Sequence, residues 1–300
     1  MRKCALNVSA GGLLCAVRRG QSPCHGAPPQ SAEIGRSPEM SSSNARTVAR
    51  NLFSKVPEIT LYFWVIKVLC TTVGETFADL LDTNFDLGLT NLTLIMGSLL
   101  IVALFFQFRA KRYVPSLYWL AVVLISIVGT LITDNLTDNL GVELAITTGV
   151  FAVALAVSFA AWYRSEGTLS IHSIFTARRE AFYWVAILFT FALGTAAGDL
   201  AAESLALGYL TSAVIFAALI AGIALAYKYL KLDAVVAFWF AYIVTRPLGA
   251  SLGDFLAQSP DDGGLGIGTV GTSIVFLSAI LATVIYLTMS KKDIIKLPQD

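Results

Sequence analysis

Apolar residues are gathered into eight long runs that are separated by short polar segments. Each run is about 20 residues long, which is the length that a helix needs to cross a hydrocarbon core about 30 Å thick. Only helices or closed barrels satisfy every backbone group in lipid, and these runs are too long and too continuous for barrel strands. The pattern therefore predicts an all-α membrane protein with eight transmembrane helices. The predicted helices are about 60–80, 88–108, 116–134, 141–163, 181–199, 208–230, 235–254 and 268–289.

Composition supports the membrane class. Of the 300 residues, 56% are hydrophobic and only 14% are charged, whereas a soluble domain carries about 25% charged residues. The net charge of +1 says little, because the charges are segregated by position. The four cysteines form no CxxC pair and no cluster with histidine, so neither a disulfide framework nor a zinc site is predicted. We expect no cofactor.

The motif Trp-x9-Gly-x4-Asp occurs four times, and its copies begin 55, 65 and 55 residues apart. Four of the five tryptophans open a copy, so the spacing is not a chance feature; the fifth, Trp162, is interpreted as an anchor at the membrane interface. We predict a membrane domain over residues 55–292, built from two-helix repeats at about 58–112, 113–177, 178–232 and 233–292. The motif residues are Trp64, Trp119, Trp184 and Trp239, then Gly74, Gly129, Gly194 and Gly249, then Asp79, Asp134, Asp199 and Asp254.

Basic residues predict the orientation. Lysine and arginine flank the repeats and fill the connections between them, whereas the four turns within the hairpins contain none. The positive-inside rule then places both termini in the cytoplasm. Because each repeat contributes two spans, all four point the same way and are parallel rather than inverted repeats. Residues 1–45 lack periodicity and are predicted to be a disordered tail; a translation start extended upstream of Met40 and a cleaved targeting segment are the alternatives.

The four motif aspartates are the clearest candidates for chemistry. Each lies 15 residues after its tryptophan, or roughly 22 Å along a helix, so each is expected in the outer part of the hydrocarbon if the tryptophan anchors at the cytoplasmic interface. A carboxylate there costs about 3 kcal/mol unless it faces protein, water or a cation. The alternative is structural, since an aspartate in a hairpin turn can cap the following helix.

Neighbouring acids strengthen the functional interpretation in three repeats. Glu75 lies four residues before Asp79, Asp138 four residues after Asp134, and Glu203 four residues after Asp199. Residues four apart share one face of a helix, and such a pair of carboxylates can hold a divalent cation or share a proton. These neighbours have diverged between repeats, which argues against a perfectly fourfold site and leaves a pseudo-twofold arrangement open.

Two cations lie within the predicted spans. Lys67 is three residues past Trp64, and we expect it to snorkel to the cytoplasmic interface. Arg246 lies seven residues past Trp239 and is too deep to snorkel easily. Two roles are open for Arg246: it neutralises a carboxylate of a facing helix, or it acts as a tethered competitor for a bound cation.

The four tryptophans, with their glycine and aspartate partners, make the chain resemble a family of bacterial membrane proteins built from four tandem repeats, two transmembrane helices and one characteristic tryptophan to each. The resemblance covers about residues 55–292 and implies a bacterial inner-membrane location. Members are described as uncharacterised membrane-anchored proteins, so the resemblance implies no activity.

The chemistry of these residues predicts a transporter of a small inorganic cation. Oxygen ligands without Cys, His or Met suit Mg²⁺, Ca²⁺ and Mn²⁺, so the preferred cargo is Mn²⁺ or Mg²⁺, with proton exchange as an option. The alternatives are a non-transporting membrane protein that binds a partner or lipid, with aspartates capping its turns, and an organic-solute carrier with a larger cavity. An enzyme is the least expected class. The expected partners are the lipid bilayer and a small inorganic cation, nucleic acid is not expected, and the oligomeric state is left open.

Overall fold

The computed structural model describes residues 54–84 and 87–293, so the predictions for residues 1–45 lie outside the described residues. Within these ranges the chain has no β-strand, and eight helices are long and apolar enough to cross a membrane. The predicted fold class is therefore confirmed, and the protein is a multi-pass membrane protein. The helices are α1 (Leu61–Asn84), α2 (Leu89–Arg109), α3 (Pro115–Asp134), α4 (Leu144–Glu166), α5 (Ala177–Asp199), α6 (Tyr209–Tyr229), α7 (Ala234–Ala257) and α8 (Thr269–Ser290).

The odd-numbered and even-numbered helices form two concentric layers. The first helices of the repeats, α1, α3, α5 and α7, pack in a closed ring in which each contacts the helix before it and the helix after it. In the most apolar 18 residues of each of these helices, more than half of the residues are buried. In α2, α4, α6 and α8 the corresponding share is only 11–28%. We call these two sets the inner and the outer helices.

Each outer helix packs mainly on the inner helix of the next repeat. Helix α2 lies on α3, α4 on α5, and α6 on α7, and α8 closes the circle by lying on α1. The two helices of one repeat contact each other much less. The repeats are therefore interlocked around the ring, and the last repeat completes the packing surface of the first.

The four motif glycines stand where neighbouring inner helices approach most closely. A Cβ added to each glycine would collide with a residue of the next inner helix in the ring, and repeat one follows repeat four. That residue always lies seven positions after the motif tryptophan of its own repeat. At Gly249, for example, the added atom would lie 2.9 Å from the backbone carbonyl carbon of Thr71. Only glycine allows this approach, because any larger side chain would separate the helices. The four pairs are Gly74 with Ser126, Gly129 with Phe191, Gly194 with Arg246, and Gly249 with Thr71.

The turns that carry the motif aspartates extend two of the inner helices. A π-helical turn, Asn135–Asn139, continues α3, and a second one, Leu200–Ser204, continues α5. A π-turn widens the helix locally and often occurs at a functional site. In the other two repeats the α-helix itself continues past the aspartate, to Asn84 and to Ala257.

Candidate cation site

One face of each inner helix carries the residues that meet inside the ring. On α1 this face is Lys67, Thr71, Glu75 and Asp79, which are spaced by four and therefore stack along one side of the helix. These residues lie 3, 7, 11 and 15 positions after the motif tryptophan. The residues at the same four positions in the other repeats occupy the equivalent places on their inner helices. The corresponding residues are Val122, Ser126, Thr130 and Asp134 on α3, Ile187, Phe191, Thr195 and Asp199 on α5, and Tyr242, Arg246, Ala250 and Asp254 on α7.

All four motif aspartates line one cavity of about 140 Å³ at the hairpin-turn end of the ring. No basic side chain is among its described lining residues, and we call it the acidic cavity. Its volume is sufficient for several water molecules or one hydrated ion. Glu75, Asp138 and Glu203, which the sequence also singled out, lie in the same wall, as does Asp82. The described lining is Glu75, Asp79, Asp82, Leu89, Asp134, Thr137, Asp138, Leu144, Asp199, Glu203, Asp254 and Gln258.

Exposure falls from the mouth of the acidic cavity to its base. Asp82, Asp138 and Glu203 are exposed, whereas Glu75 at the base is 5% exposed and Asp254 is 7% exposed. The cavity therefore opens toward the hairpin turns and ends within the ring. The wall carries eight carboxyl groups, and those that are ionised at the mouth attract cations.

Three carboxylates approach closely enough to share one metal ion. Glu75, Asp199 and Asp254 each offer an oxygen atom, and these three atoms all lie within 4.8 Å of one another. Ligands on opposite sides of an ion are separated by twice the metal–oxygen distance, about 4–5 Å for the 2.0–2.6 Å bonds of Mg²⁺ and Ca²⁺. The three residues come from repeats one, three and four and are far apart in the sequence, so the sequence alone does not predict that they lie together.

The motif aspartates do not cap the helices that follow them in the described part of the chain. The outer helices begin after Gly88, Glu143, Gly208 and Gly268, and none of these N-cap positions has a side-chain capping hydrogen bond. Three of the four are glycines with φ between 73° and 81°, a backbone conformation that favours glycine. The structural alternative predicted for the aspartates is therefore wrong for these turns.

Arg246 pairs with Glu75, which lies at the base of the acidic cavity. Its side chain is fully buried and reaches from repeat four to the inner helices of the other three repeats. The Nη2 atom donates to Glu75 Oε2 at 2.9 Å, to Thr195 Oγ1 at 2.6 Å and to Thr130 Oγ1. The Nη1 atom donates to the carbonyl oxygen of Thr71 at 3.1 Å. Of the two roles predicted for Arg246, pairing with a carboxylate of a facing helix is thus observed.

Lys67 lies on the side of Arg246 that is farther from the acidic cavity. Its side chain is fully buried, and Nζ has no hydrogen-bond partner among the described residues. The ammonium group lies 4.0 Å from the ring centre of Tyr242 and 4.4 Å from that of Phe191, so cation–π contacts replace hydrogen bonds. The prediction that Lys67 snorkels to the interface is wrong, because its position on α1 faces the ring interior.

The opposite end of the ring is filled with aromatic side chains. Trp119, Trp184 and Trp239 are at most 5% exposed, and Trp64 is partly buried. Trp162, predicted to anchor at the interface, is fully buried with its ring 5.7 Å from that of Trp239, so that prediction is wrong. The residue before each motif tryptophan is aromatic as well and is also buried. These residues are Phe63, Tyr118, Tyr183 and Phe238.

A short segment before α1 lies across the same end. Residues 54–57 are buried, and Lys55 Nζ donates to Glu180 Oε2 at 2.7 Å and to the carbonyl oxygen of Phe108 at 2.9 Å. The Tyr113 hydroxyl donates to Asp293 Oδ2 at 2.7 Å, which joins the start of α3 to the residues after α8. The ring is thus closed at this end and open at the acidic end.

Comparison with known proteins gives a family but no characterised relative. A search of curated proteins and a search of solved structures each found no match. The model of one family matches four successive stretches, residues 62–113, 117–168, 182–232 and 237–293, and its description is Repeat of Unknown Function. These stretches make up most of the chain and confirm the resemblance to a four-repeat family. The chain therefore belongs to the family of the Repeat of Unknown Function (DUF347), of which it carries four tandem copies.

Proposed function

We propose that this protein transports a small, hard divalent cation, Mn²⁺ or Mg²⁺, which binds in the acidic cavity. The observation that carries the proposal is the approach of Glu75, Asp199 and Asp254, whose oxygen atoms lie within 4.8 Å of one another. Of these three carboxylates, Glu75 pairs with Arg246, whereas Asp199 and Asp254 have no ion-pair partner among the described residues. A bound divalent ion would supply the positive charge that the group still lacks. Oxygen-only coordination favours Mg²⁺ or Mn²⁺ over Cu²⁺ or Zn²⁺.

Transport rather than static binding is supported by the position of the cavity within the ring. The acidic cavity enters between the four inner helices and ends at the buried Glu75, which pairs with Arg246. Beyond Arg246 the ring is filled with Lys67 and aromatic side chains. A carrier that exposes its site to one side at a time has this arrangement, with one open and one closed end. Exchange for protons would follow if the carboxylates are protonated when the metal leaves.

The volume of the cavity favours an inorganic cargo over an organic one. Sites for organic ligands usually enclose about 300–1,000 Å³, whereas the acidic cavity has about 140 Å³. Its described wall contains eight carboxylates and only two apolar side chains, Leu89 and Leu144. The small volume and the acidic wall therefore disfavour an organic-solute carrier.

We place the protein in the bacterial inner membrane with both termini in the cytoplasm. The basic connections between the repeats support this orientation through the positive-inside rule. The acidic mouth then faces outward, where it collects cations from the medium, and the segment at residues 54–57 faces the cytoplasm. The proposal concerns a carrier without enzymatic activity.

The first prediction is that Asp199→Asn combined with Asp254→Asn abolishes cation uptake. Both side chains keep their shape but lose the charge that a divalent ion requires. Loss of outer-shell partners alone lowers metal affinity by about 10–100-fold, so loss of two direct ligands is expected to lower it by at least about 100-fold. The measurement is Mn²⁺ uptake into proteoliposomes that contain a trapped fluorescent indicator, with Mg²⁺ as competitor.

The matched control is Asp261→Asn combined with Asp262→Asn. These two acids belong to the last hairpin turn and are exposed, and neither is in the described wall of the acidic cavity. The control removes the same charge from the same end, and uptake is expected to stay within about twofold of the wild type because such exposed charges are screened by salt. Equal losses in both variants, or no uptake of any divalent metal by the wild type, would contradict the proposal.

A further inference from the structure

Arg246 occupies a position at which the other repeats have no charge. Seven residues after the motif tryptophan, repeats one, two and three have Thr71, Ser126 and Phe191. The stem of Arg246 passes over Gly194, where an added Cβ would lie 2.3 Å from Arg246 Cγ. Gly194 thus creates the space through which a long side chain extends toward the ring axis. Repeat four alone places a permanent cation there, since arginine does not lose its proton in proteins.

Glu75 belongs to two groups at once. Its carboxylate forms the ion pair with Arg246 at 2.9 Å, and it also offers an oxygen to the close group with Asp199 and Asp254. A divalent ion bound by these three carboxylates would lie next to the guanidinium of Arg246 and share Glu75 with it. Two positive charges in contact with one carboxylate repel each other strongly in a buried site.

The remaining partners of Arg246 are neutral. The hydroxyl groups of Thr130 and Thr195 and the carbonyl oxygen of Thr71 accept three of its hydrogen bonds, and only Glu75 is charged. The guanidinium therefore keeps three acceptors when Glu75 turns to a metal ion. Its Nε atom has no partner among the described residues, so the hydrogen bonding of the side chain is incomplete in the present state. Because three of its four hydrogen-bond acceptors are neutral, the Arg246 side chain can stay in position when Glu75 turns away from it.

From this geometry we infer that Arg246 is a tethered counter-cation that competes with the transported ion for Glu75. The inference rests on the proposed function and specifies how the same site is regulated. With the acidic cavity empty, Arg246 neutralises Glu75. With a divalent ion bound, Glu75 coordinates the ion, and Arg246 weakens the binding enough for the ion to be released. Arg246 thus sets the affinity and the release rate, and the carboxylates supply the ligands.

The test compares Arg246→Gln with the wild type in two measurements. Mn²⁺ binding to the purified protein in detergent is measured by isothermal titration calorimetry, and Mn²⁺ uptake is measured in proteoliposomes. Removing the competitor is expected to tighten binding about tenfold or more, because a buried like charge next to the ion is lost. Uptake at saturating Mn²⁺ is expected to fall about tenfold, because affinity differences reside mostly in the dissociation rate. Tighter binding with slower transport is a combination that damage to the fold would not produce.

Lys67→Met is the matched control. It removes the other buried cation of the ring, which contacts two aromatic rings and has no described contact with a carboxylate. Its Mn²⁺ affinity is expected to stay within about threefold of the wild type, because the lysine does not share a ligand with the ion. An equal tightening in both variants would show a general field effect and would overturn the specific role of Arg246.

A second variant covers the case in which Arg246→Gln does not fold. Arg246→Lys keeps the charge, but an ammonium group cannot reproduce the planar fork that reaches Glu75 and its neutral acceptors together. We expect about threefold tighter Mn²⁺ binding in this variant, again with slower uptake. Unchanged or weaker binding in a folded Arg246 variant would overturn the inference while wild-type uptake still supported the proposed function. If the wild type neither bound nor transported a divalent ion, the proposed function would fail and the inference with it.

Discussion

Glu75→Leu is expected to lower the stability of the protein by about 3 kcal/mol, because it leaves the guanidinium of Arg246 buried without its charged partner. Arg246 is fully buried, and Glu75 is the one carboxylate to which it is hydrogen-bonded in the described residues. Removal of one member of a buried ion pair costs about 3–5 kcal/mol. We expect the low end of this range, since three neutral acceptors remain. Reversible unfolding in mixed detergent micelles measures the change.

The rescue by a second substitution separates charge from packing. Glu75→Leu combined with Arg246→Met removes both charges, and such replacements of buried ion pairs by apolar residues are often neutral or stabilising. The double variant is therefore expected to recover most of the stability lost by Glu75→Leu, although it should not bind Mn²⁺ normally. If the double variant were less stable than Glu75→Leu, the pair would act through shape rather than through charge.

The helices could be predicted almost completely from the sequence. The second helix of repeat one, for example, was expected at about 88–108 and extends over Leu89–Arg109. Transmembrane helices are this predictable because lipid requires each span to satisfy its own backbone and to be apolar over its whole length. Both requirements apply to each span separately, so each transmembrane helix can be recognised from its own residues.

The packing of the helices could not be predicted in the same way. Nothing in the hydrophobic pattern states that α2 lies on α3 rather than on α1, or that α8 returns to the first repeat. The outer helices are mostly apolar on their packed and exposed sides alike, because lipid and protein are similar surroundings for such side chains. A few buried polar residues, such as Gln107, Thr147 and Ser212, are the exceptions. The motif glycines indicate where helices approach closely, but the sequence does not show which helix each glycine contacts.

The acidic site could be predicted in its members but not in its geometry. The sequence identified Asp79, Asp134, Asp199 and Asp254 from their shared position, and the structure brings all four to one cavity. It also suggested a pairing of Glu75 with Asp79, whereas Glu75 approaches Asp199 and Asp254 of other repeats. The neighbours of Glu75 are determined by the packing of residues that are distant in the sequence, and a single sequence does not reveal such contacts.

The error at Lys67 has a specific cause. The expected depth takes Trp64 as a marker of the membrane surface. In the structure the other three motif tryptophans are buried inside the protein and Trp64 is partly buried, so a motif tryptophan does not mark that surface. A reading of the helix face would have corrected this, because Lys67, Thr71, Glu75 and Asp79 are spaced by four and form a polar stripe. A polar stripe on an otherwise apolar transmembrane helix indicates the side that faces the protein interior.

The closure of the ring depends on Gly249, and Gly249→Ala is expected to destabilise the protein by about 2–3 kcal/mol, since overpacking costs about 1–3 kcal/mol. The added methyl group would lie 2.4 Å from Cβ and 2.9 Å from the backbone carbonyl carbon of Thr71. The backbone atom cannot rotate away, so α7 must move off α1 and open the contact between repeats four and one. Unfolding in detergent measures the loss.

The matched control for Gly249→Ala predicts a change of the opposite sign. Gly97 lies inside α2, and an added Cβ there would meet no described atom within 4 Å. Alanine is favoured over glycine inside a helix by about 1 kcal/mol, so Gly97→Ala should leave the protein equally stable or make it more stable. The two substitutions are chemically identical and differ only in what faces the new methyl group. If both raised the stability, Gly249 would not lie at a close contact between inner helices, and the closed ring on which the acidic cavity depends would be wrong.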